Sequence, residues 1–458
     1  MKASRLVLLL LCLFLNLPFA VIARAAENPQ IMRVEVTAPF GSAGAIPSTI
    51  NFTVLGDYTA ADQTLSTGSK YVVTVENGAL QLYQIDKDTT TPILKDQISI
   101  MLQPAGDAGN SMVELDGKKV YKYREGMQFM LAGGANSSIV PINIISVENY
   151  LKGVVPTEMS DSWELEALKA QAVAARTYAI SEMKSVKGDG YINDTVKYQA
   201  YQGVNIEGDH ANQAVDSTQG QVLTYSGNLI SALYSASNGG YTEASENVWS
   251  GNGAPYLIEK QDPYDAKISP HMGWTVTLSA ADIAKKLAAA NLSVGTVQNV
   301  QLLSSYPSQR VADLAVVGDK GTQHISKDRA RTVFGLKSAL YTITTQGAQP
   351  AAPAKVAIKG KTGTVQKALT GLRVYTAQGL KNVTSAGSVV QGANQRMAYA
   401  SQPAAGNVVS VTFTGSGWGH GVGMSQWGAR EMAKEDKNYL DITAFYYPGA
   451  QLSQNYGN

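Results

Sequence analysis

The sequence predicts an α+β protein, with a β-rich N-terminal region and a mixed core of antiparallel strands around a long alanine-rich helix. Three observations carry this reading. Strand-like alternation with hairpin turns fills residues 31–140, one helical stretch occupies residues 163–183, and a glycine-dense segment at residues 417–429 is expected to return the chain to the core. The 458 residues allow about two or three domains.

In the N-terminal region, residues 71–75 and 79–83 alternate as strands around Glu76, Asn77 and Gly78. Asn-Gly favours a tight hairpin because both central residues take positive φ. A second hairpin is expected over residues 112–121, turning at Asp116-Gly117. No chemistry concentrates here, and the region reads as a β scaffold.

The helix at 163–183 is entered through Asp161 and Ser162, with Glu164 and Glu166 in its first turn, as capping and the helix dipole favour. Its alanines make it slim enough to pack closely on all sides, which places it centrally. A polar loop follows at 185–203, then a short helix at 211–218. A hairpin joins residues 221–225 to 229–235 through Ser226, Gly227 and Asn228. Ser279 and Asp282 open another helix, and a shorter one runs over 326–333 to Gly335. Residues 344–354 read as a linker, with a β-like piece at 372–376.

Hydrophobic residues make up 44% of the chain and charged residues 16%, a globular composition. A net charge of +1 without lysine- or arginine-rich runs excludes a dedicated nucleic-acid binder. Lys2 and Arg5, an apolar stretch at 6–20 and Ala23-Arg24-Ala25 read as a cleavable secretory signal, with the mature chain starting at or just after Ala26. The alternative is a retained membrane anchor, since residues 6–23 approach spanning length. The single cysteine, Cys12, lies in that stretch, so cleavage leaves no thiol for disulfides or catalysis.

Two stretches carry candidate chemistry. Within residues 147–159, Glu158 follows an apolar strand stopped by Pro156, which places it at a strand-to-helix junction beside Val154, Val155 and Met159. Apolar neighbours disfavour the charged carboxylate and suit it to act as a general acid; the alternative is a surface glutamate near a helix start. The second stretch is Gly417-Trp418-Gly419-His420-Gly421-Val422-Gly423-Met424-Ser425-Gln426-Trp427-Gly428-Ala429. Its glycines permit close backbone approach, and His420 could move a proton or simply be a hydrogen-bonded structural histidine. A weaker signal is Ser237, Asn238 and Gly239 leading to Trp249, a polar and aromatic mix that suits sugar rings but also occurs in plain turns.

Together these two motifs resemble the SpoIID/LytB family, over roughly residues 121–449 with an interruption at 344–408. The resemblance implies that Glu158 is catalytic. It also matches the family pattern at Lys169, Gln171, Arg176, Tyr178, Ser237, Asn238, Gly239, His420, Ser425 and Gln426, read as substrate-binding positions, with Arg176 binding substrate oxygens or orienting the glutamate. For the sporulation-protein branch it implies a lytic transglycosylase that cleaves MurNAc-GlcNAc β-1,4 bonds of peptide-free glycan to 1,6-anhydro-MurNAc ends. The other branch implies a non-catalytic wall-binding enhancer of an N-acetylmuramoyl-L-alanine amidase. Some members bind zinc after the main helix; residues 185–203 lack His and Cys here, so no metal and no cofactor are expected.

The expected organisation is a signal or anchor at 1–25, a β-rich region at 26–110, a first part of the core at 111–343, an insertion at 344–408 and a closing part at 409–458. Partners are glycan strands and a wall amidase, outside the cytoplasmic membrane or tethered to it if the N-terminal segment is retained. Glu158 and the His420 loop are expected to line one cleft, with Ser237 and Asn238 nearby.

Overall fold

The computed structural model describes residues 30–347 and 408–454 apart from 42–46, 88, 134–137 and 187–189, and only short strand segments between 349 and 404. The expected signal, with Cys12 and the cleavage site, lies outside the described residues. Among the described residues no helix is long and apolar enough to cross a membrane.

Alternation of apolar side chains builds a two-sheet sandwich. In the strand Thr49–Leu55, Ile50, Phe52 and Val54 are buried while their neighbours face outward. One sheet runs, in order, through Ile192–Asn193, Ile31–Glu35, Ser138–Ser146, Gly126–Ala132, Ser99–Pro104, Tyr58–Ala60 and Gln63–Leu65. The other runs through Tyr121–Arg124, Met112–Leu115, Thr49–Leu55, Lys70–Glu76, Ala79–Asp86 and Thr89–Gln97. Phe52 of one sheet meets Phe129 of the other at 5.3 Å. Ser99–Pro104 pairs with Gly126–Ala132 and Thr49–Leu55 with Met112–Leu115, so a boundary at residue 110 would cut through both sheets.

The first hairpin turns at Asn77 (φ 53°) and Gly78 (φ 80°), as its sequence requires. The second pairs Met112–Leu115 with Tyr121–Arg124 across a longer loop that includes Asp116 and Gly117, and a Cβ on Gly117 would collide with the Pro39 carbonyl.

The long helix spans Leu165–Ser185 and is buried on most of its circumference. Val147–Lys152, Asp209–Ser217, Gln426–Lys434 and Tyr439–Tyr446 pack around it. Asp161 does not cap this helix; its Oδ1 accepts from the Ala211 amide at 2.7 Å and caps Asp209–Ser217 instead. Residues 147–158 are not a strand. They form two short helices, Val147–Lys152 and Val155–Glu158, because Pro156 in a first helical turn forfeits no hydrogen bond and starts the second one. Met159 is extended (φ −129°, ψ 141°) and ends it, leaving Glu158 as its last residue.

A second apolar core gathers Ile283, Leu287, Val300, Leu314, Phe334 and Phe413. The helix Ala280–Ala289 is capped by Ser279, which accepts from the Asp282 amide at 3.1 Å. Arg329–Phe334 ends on Gly335, at φ 71°. Residues 344–346 are not linker. Tyr341–Gln346 pairs with Ser410–Gly415, so the chain leaves this ladder at Gln346 and rejoins it opposite, at Ser410. The β-like piece appears as Arg373–Thr376 paired with Gly379–Asn382.

Candidate active site

Glu158 sits half-buried where the two motifs meet. Gln426, first residue of the helix Gln426–Lys434, donates from Nε2 to Glu158 Oε2 at 3.1 Å. Burial raises the Glu158 pKa above the ordinary carboxylate value, opposed by the Gln426 amide and the Ala200 backbone amide. Beneath it Gln199 accepts from the Tyr150 hydroxyl at 3.2 Å and donates to the Tyr234 hydroxyl at 3.0 Å. Burial first, and the Glu158 charge second, push both phenols well upward. Among the described residues the carboxyl group rests beside neutral groups, and no cation pairs with it.

The glycine-dense loop is stitched to the segment 234–237. Met424 and Ser425 pair in parallel with Tyr234 and Ser235, and Trp418 pairs with Ser237. Two buried carboxylates brace this junction. Asp265 accepts from Ser425 Oγ at 2.7 Å on one oxygen, and from Ser237 Oγ (2.9 Å) and the Gly239 and Gly240 amides (2.8 and 3.0 Å) on the other. Asp262 accepts from Asn238 Nδ2 at 2.6 Å and from the Tyr446 hydroxyl at 2.7 Å. A Cβ on Gly428 would collide with that hydroxyl, which accounts for glycine inside the helix. Burial raises both aspartates, and these donors counter it. Neither was singled out from sequence, although Asp262 before Pro263 is a helix-start signal.

Ser425 accepts from the Gly428 amide at 3.1 Å and so caps the helix that presents Gln426. Ser237, Asn238, Gly239, Ser425 and Gln426 thus form one connected network reaching Glu158. His420 belongs to the same loop but makes no hydrogen bond to Glu158. Its Nδ1 accepts from the Val422 amide at 3.0 Å, which leaves Nε2 to donate, and the backbone of Tyr234 takes that bond. Burial, with Arg331 and Arg310 nearby, lowers its pKa to about 3. His420 is a neutral brace, 5.1 Å from the Trp249 ring.

The other expected positions serve the helix packing. Arg176 is fully buried and does not reach a cleft: its guanidinium meets Glu148 at 2.7 Å and donates to the Val215 and Gln221 carbonyls. With its donors spent inside the fold, it neither orients Glu158 nor faces a substrate. Lys169 pairs with Glu166 at 2.7 Å and lies 5.9 Å over the Tyr439 ring. Gln171 is fully buried, and neither end of its amide has a partner among the described residues. Tyr178 lies near Tyr150 and Tyr234, its pKa raised to about 12 by burial and then by Glu182.

A cavity of about 480 Å³ opens elsewhere, between Gly239–Gly240 and the second core, lined by Leu302, Tyr341 and Ser416 among others; Glu158 is not in its wall. Among the described residues no three His, Cys, Asp or Glu side chains converge as a metal site would need.

A family profile described as stage II sporulation protein matches residues 135–225, the stretch that carries Glu158 and the long helix. A domain of unknown function matches residues 256–363. The chain is 33% identical to the amidase enhancer of Bacillus subtilis over 419 residues, covering 90% of this chain and 53% of that protein, about half its length. It is 29% identical to stage II sporulation protein D of Bacillus subtilis, over 68% of this chain and 75% of that one. An uncharacterized protein of Brachyspira hyodysenteriae is also 29% identical, over 69% of each.

Proposed function

This chain belongs to the SpoIID/LytB family, and from that premise we propose that it is a peptidoglycan lytic transglycosylase with Glu158 as its general acid and base. The observation that supports this reading is the setting of Glu158: half-buried, raised in pKa by burial, and held by Gln426 with no neutralising cation among the described residues. Such a carboxyl keeps its proton to higher pH than an exposed one, as protonating a glycosidic oxygen requires.

In the proposed reaction Glu158 delivers its proton to the oxygen between MurNAc C1 and GlcNAc C4, and the C1–O bond breaks as positive charge builds on the MurNAc ring. The GlcNAc leaves with a free C4 hydroxyl. The MurNAc C6 hydroxyl attacks C1 and returns its proton to Glu158, which regenerates the acid and gives a 1,6-anhydro ring. One carboxyl group serves both steps, so no second catalytic carboxylate is needed. Asp262 and Asp265, saturated with internal donors, are assigned to positioning. The setting is the cell wall outside the cytoplasmic membrane.

The 33% identity to a protein named amidase enhancer favours a second reading, in which the chain binds wall glycan and stimulates a separate amidase. Mass spectrometry of peptide-free glycan treated with the purified protein separates the two. Fragments ending in 1,6-anhydro-MurNAc support the first. Reducing ends would make it a hydrolase, and intact glycan with a stimulated amidase would make it an enhancer.

A further inference from the structure

Four rings form a surface track leading away from the site. Trp427 follows Gln426 in sequence and lies 4.7 Å from Trp163. His271 is 6.3 Å from Trp427 and 4.9 Å from Trp418. Trp418 is 47% exposed and is joined through His271 and Trp427 to Trp163 in one contiguous aromatic surface. The track changes owner along its length. Trp163 packs against the first core and Trp427 stands in the helix Gln426–Lys434, whereas His271 lies in the segment 256–363. Two backbone bonds fix its far end, from the Gly417 amide to the His271 carbonyl at 3.0 Å and from the Gly419 amide to the Lys337 carbonyl at 2.9 Å.

Two cations flank the rings, in different states. Arg430 lies 4.9 and 5.3 Å from the Trp163 and Trp427 rings and is paired with Glu164 at 3.1 Å. Lys337 sits 5.0 Å over Trp418 and has no ion pair among the described residues. An exposed indole suits the C–H face of a sugar, and an unpaired ammonium beside it suits a carboxylate on that sugar. A glycan strand offers both, since each MurNAc carries a lactyl carboxylate once its peptide is gone.

We propose that this track is an extended glycan subsite, in which His271 and Trp418 stack on sugar rings beyond the cleavage point and Lys337 recognises a lactyl carboxylate. The segment 256–363 thereby gains a role as the far arm of the glycan groove. The proposal rests on the glycan reading for its ligand, but it concerns binding and not cleavage.

The test uses the full chain carrying Glu158→Gln, so that bound strands survive. Affinity is measured for peptide-free glycan strands and for chito-oligosaccharides of equal length, which lack the carboxylate. Adding Trp418→Ala should weaken both by roughly tenfold, the scale of one lost aromatic contact. Adding Lys337→Ala should weaken only the peptide-free glycan, by a similar factor, and flatten its salt dependence. Unchanged affinities in both variants, with circular dichroism of the parent, would overturn the track even if wild type cleaves glycan. Weaker binding of peptide-free glycan by both variants, with chito-oligosaccharide binding weakened by Trp418→Ala alone, would uphold it even if wild type cleaves nothing, in which case only the assignment of Glu158 falls. No binding by the parent overturns the track outright.

Discussion

The Gln426 side-chain amide donates to Glu158 Oε2 at 3.1 Å, joining motifs 268 residues apart in sequence. This bond favours the ionised carboxylate, against the burial that opposes it. A general acid works only while protonated, so activity should fall as pH rises through the Glu158 pKa. Gln426→Ala removes a donor to the charged form and raises that pKa further. The falling limb of the pH–kcat/KM profile should therefore move to higher pH, while the maximum drops by about tenfold for one lost charge-assisted hydrogen bond. A limb that stays in place, or moves to lower pH, would show that another group controls it.

Arg176 should behave as a stability residue. Arg176→Ala removes the guanidinium from Glu148 and takes a donor from the carbonyls of Val215 and Gln221 in the interior, and breaking a buried pair costs about 3–5 kcal/mol. Arg176→Lys recovers little of this, because one ammonium cannot replace the guanidinium fork. Thermal unfolding should show the loss, while KM of the fraction that remains folded is unchanged. A raised KM at normal stability would restore a substrate role.

That contrast shows what the sequence made legible. Turn chemistry is local, so Asn77-Gly78 and Ser279 with Asp282 announced their elements correctly. The alanine-rich helix announced its burial because small side chains admit close neighbours. Residues 147–158 misled because Val154 and Val155 suit a strand, and only tertiary burial decides for two short helices around Pro156. Arg176 misled for a related reason: a motif position tells which residue is needed, and not whether it faces a cleft or the core. Asp161 could equally have capped the next helix in sequence; its actual partner, Ala211, lies 50 residues on. Asp262 and Asp265 gather donors from Ser237 to Tyr446, a convergence that no local pattern carries.

His420 should titrate as a structural residue. Its pKa is lowered from 6.5 to about 3, so between these values the unfolded chain binds a proton that the folded one does not. Its contribution to stability is fully present above about pH 6.5 and is lost as pH falls toward 3. The ring proton resonances of His420 should stay flat between pH 8 and 5. An inflection near pH 6.5, shared by the activity profile, would point to a catalytic histidine instead.

Asp265 should act on the site through Ser425. As a carboxylate it accepts four hydrogen bonds, and Asp265→Asn turns one end into a donor facing donors. The cost should be on the order of 2–3 kcal/mol. Ser425→Ala removes both the contact to Asp265 and the helix cap, for about 1 kcal/mol. Both variants loosen the helix that presents Gln426, so their pH profiles should shift as that of Gln426→Ala does. Wild-type profiles in stable variants would show the network to be unconnected to the chemistry.

Glu158→Gln is the decisive substitution. The amide keeps the volume of the side chain and can still accept from Gln426, but it has no acidic proton to give. If Glu158 is the general acid, kcat on peptide-free glycan should drop by at least ~10²–10⁴-fold, with KM little changed because ground-state contacts remain. Stability supplies an independent readout. The folded pKa of Glu158 lies above its unfolded value, so its favourable contribution is present at acid pH and is lost as pH rises through the folded pKa. The variant carries no such loss. It should match wild type near pH 4 and equal or exceed it near pH 7. A variant that unfolds more easily at pH 7 would mean that the ionised carboxylate is a structural anchor, and its lost activity would then say nothing about proton transfer. A stable variant that still cleaves glycan would remove Glu158 from the mechanism.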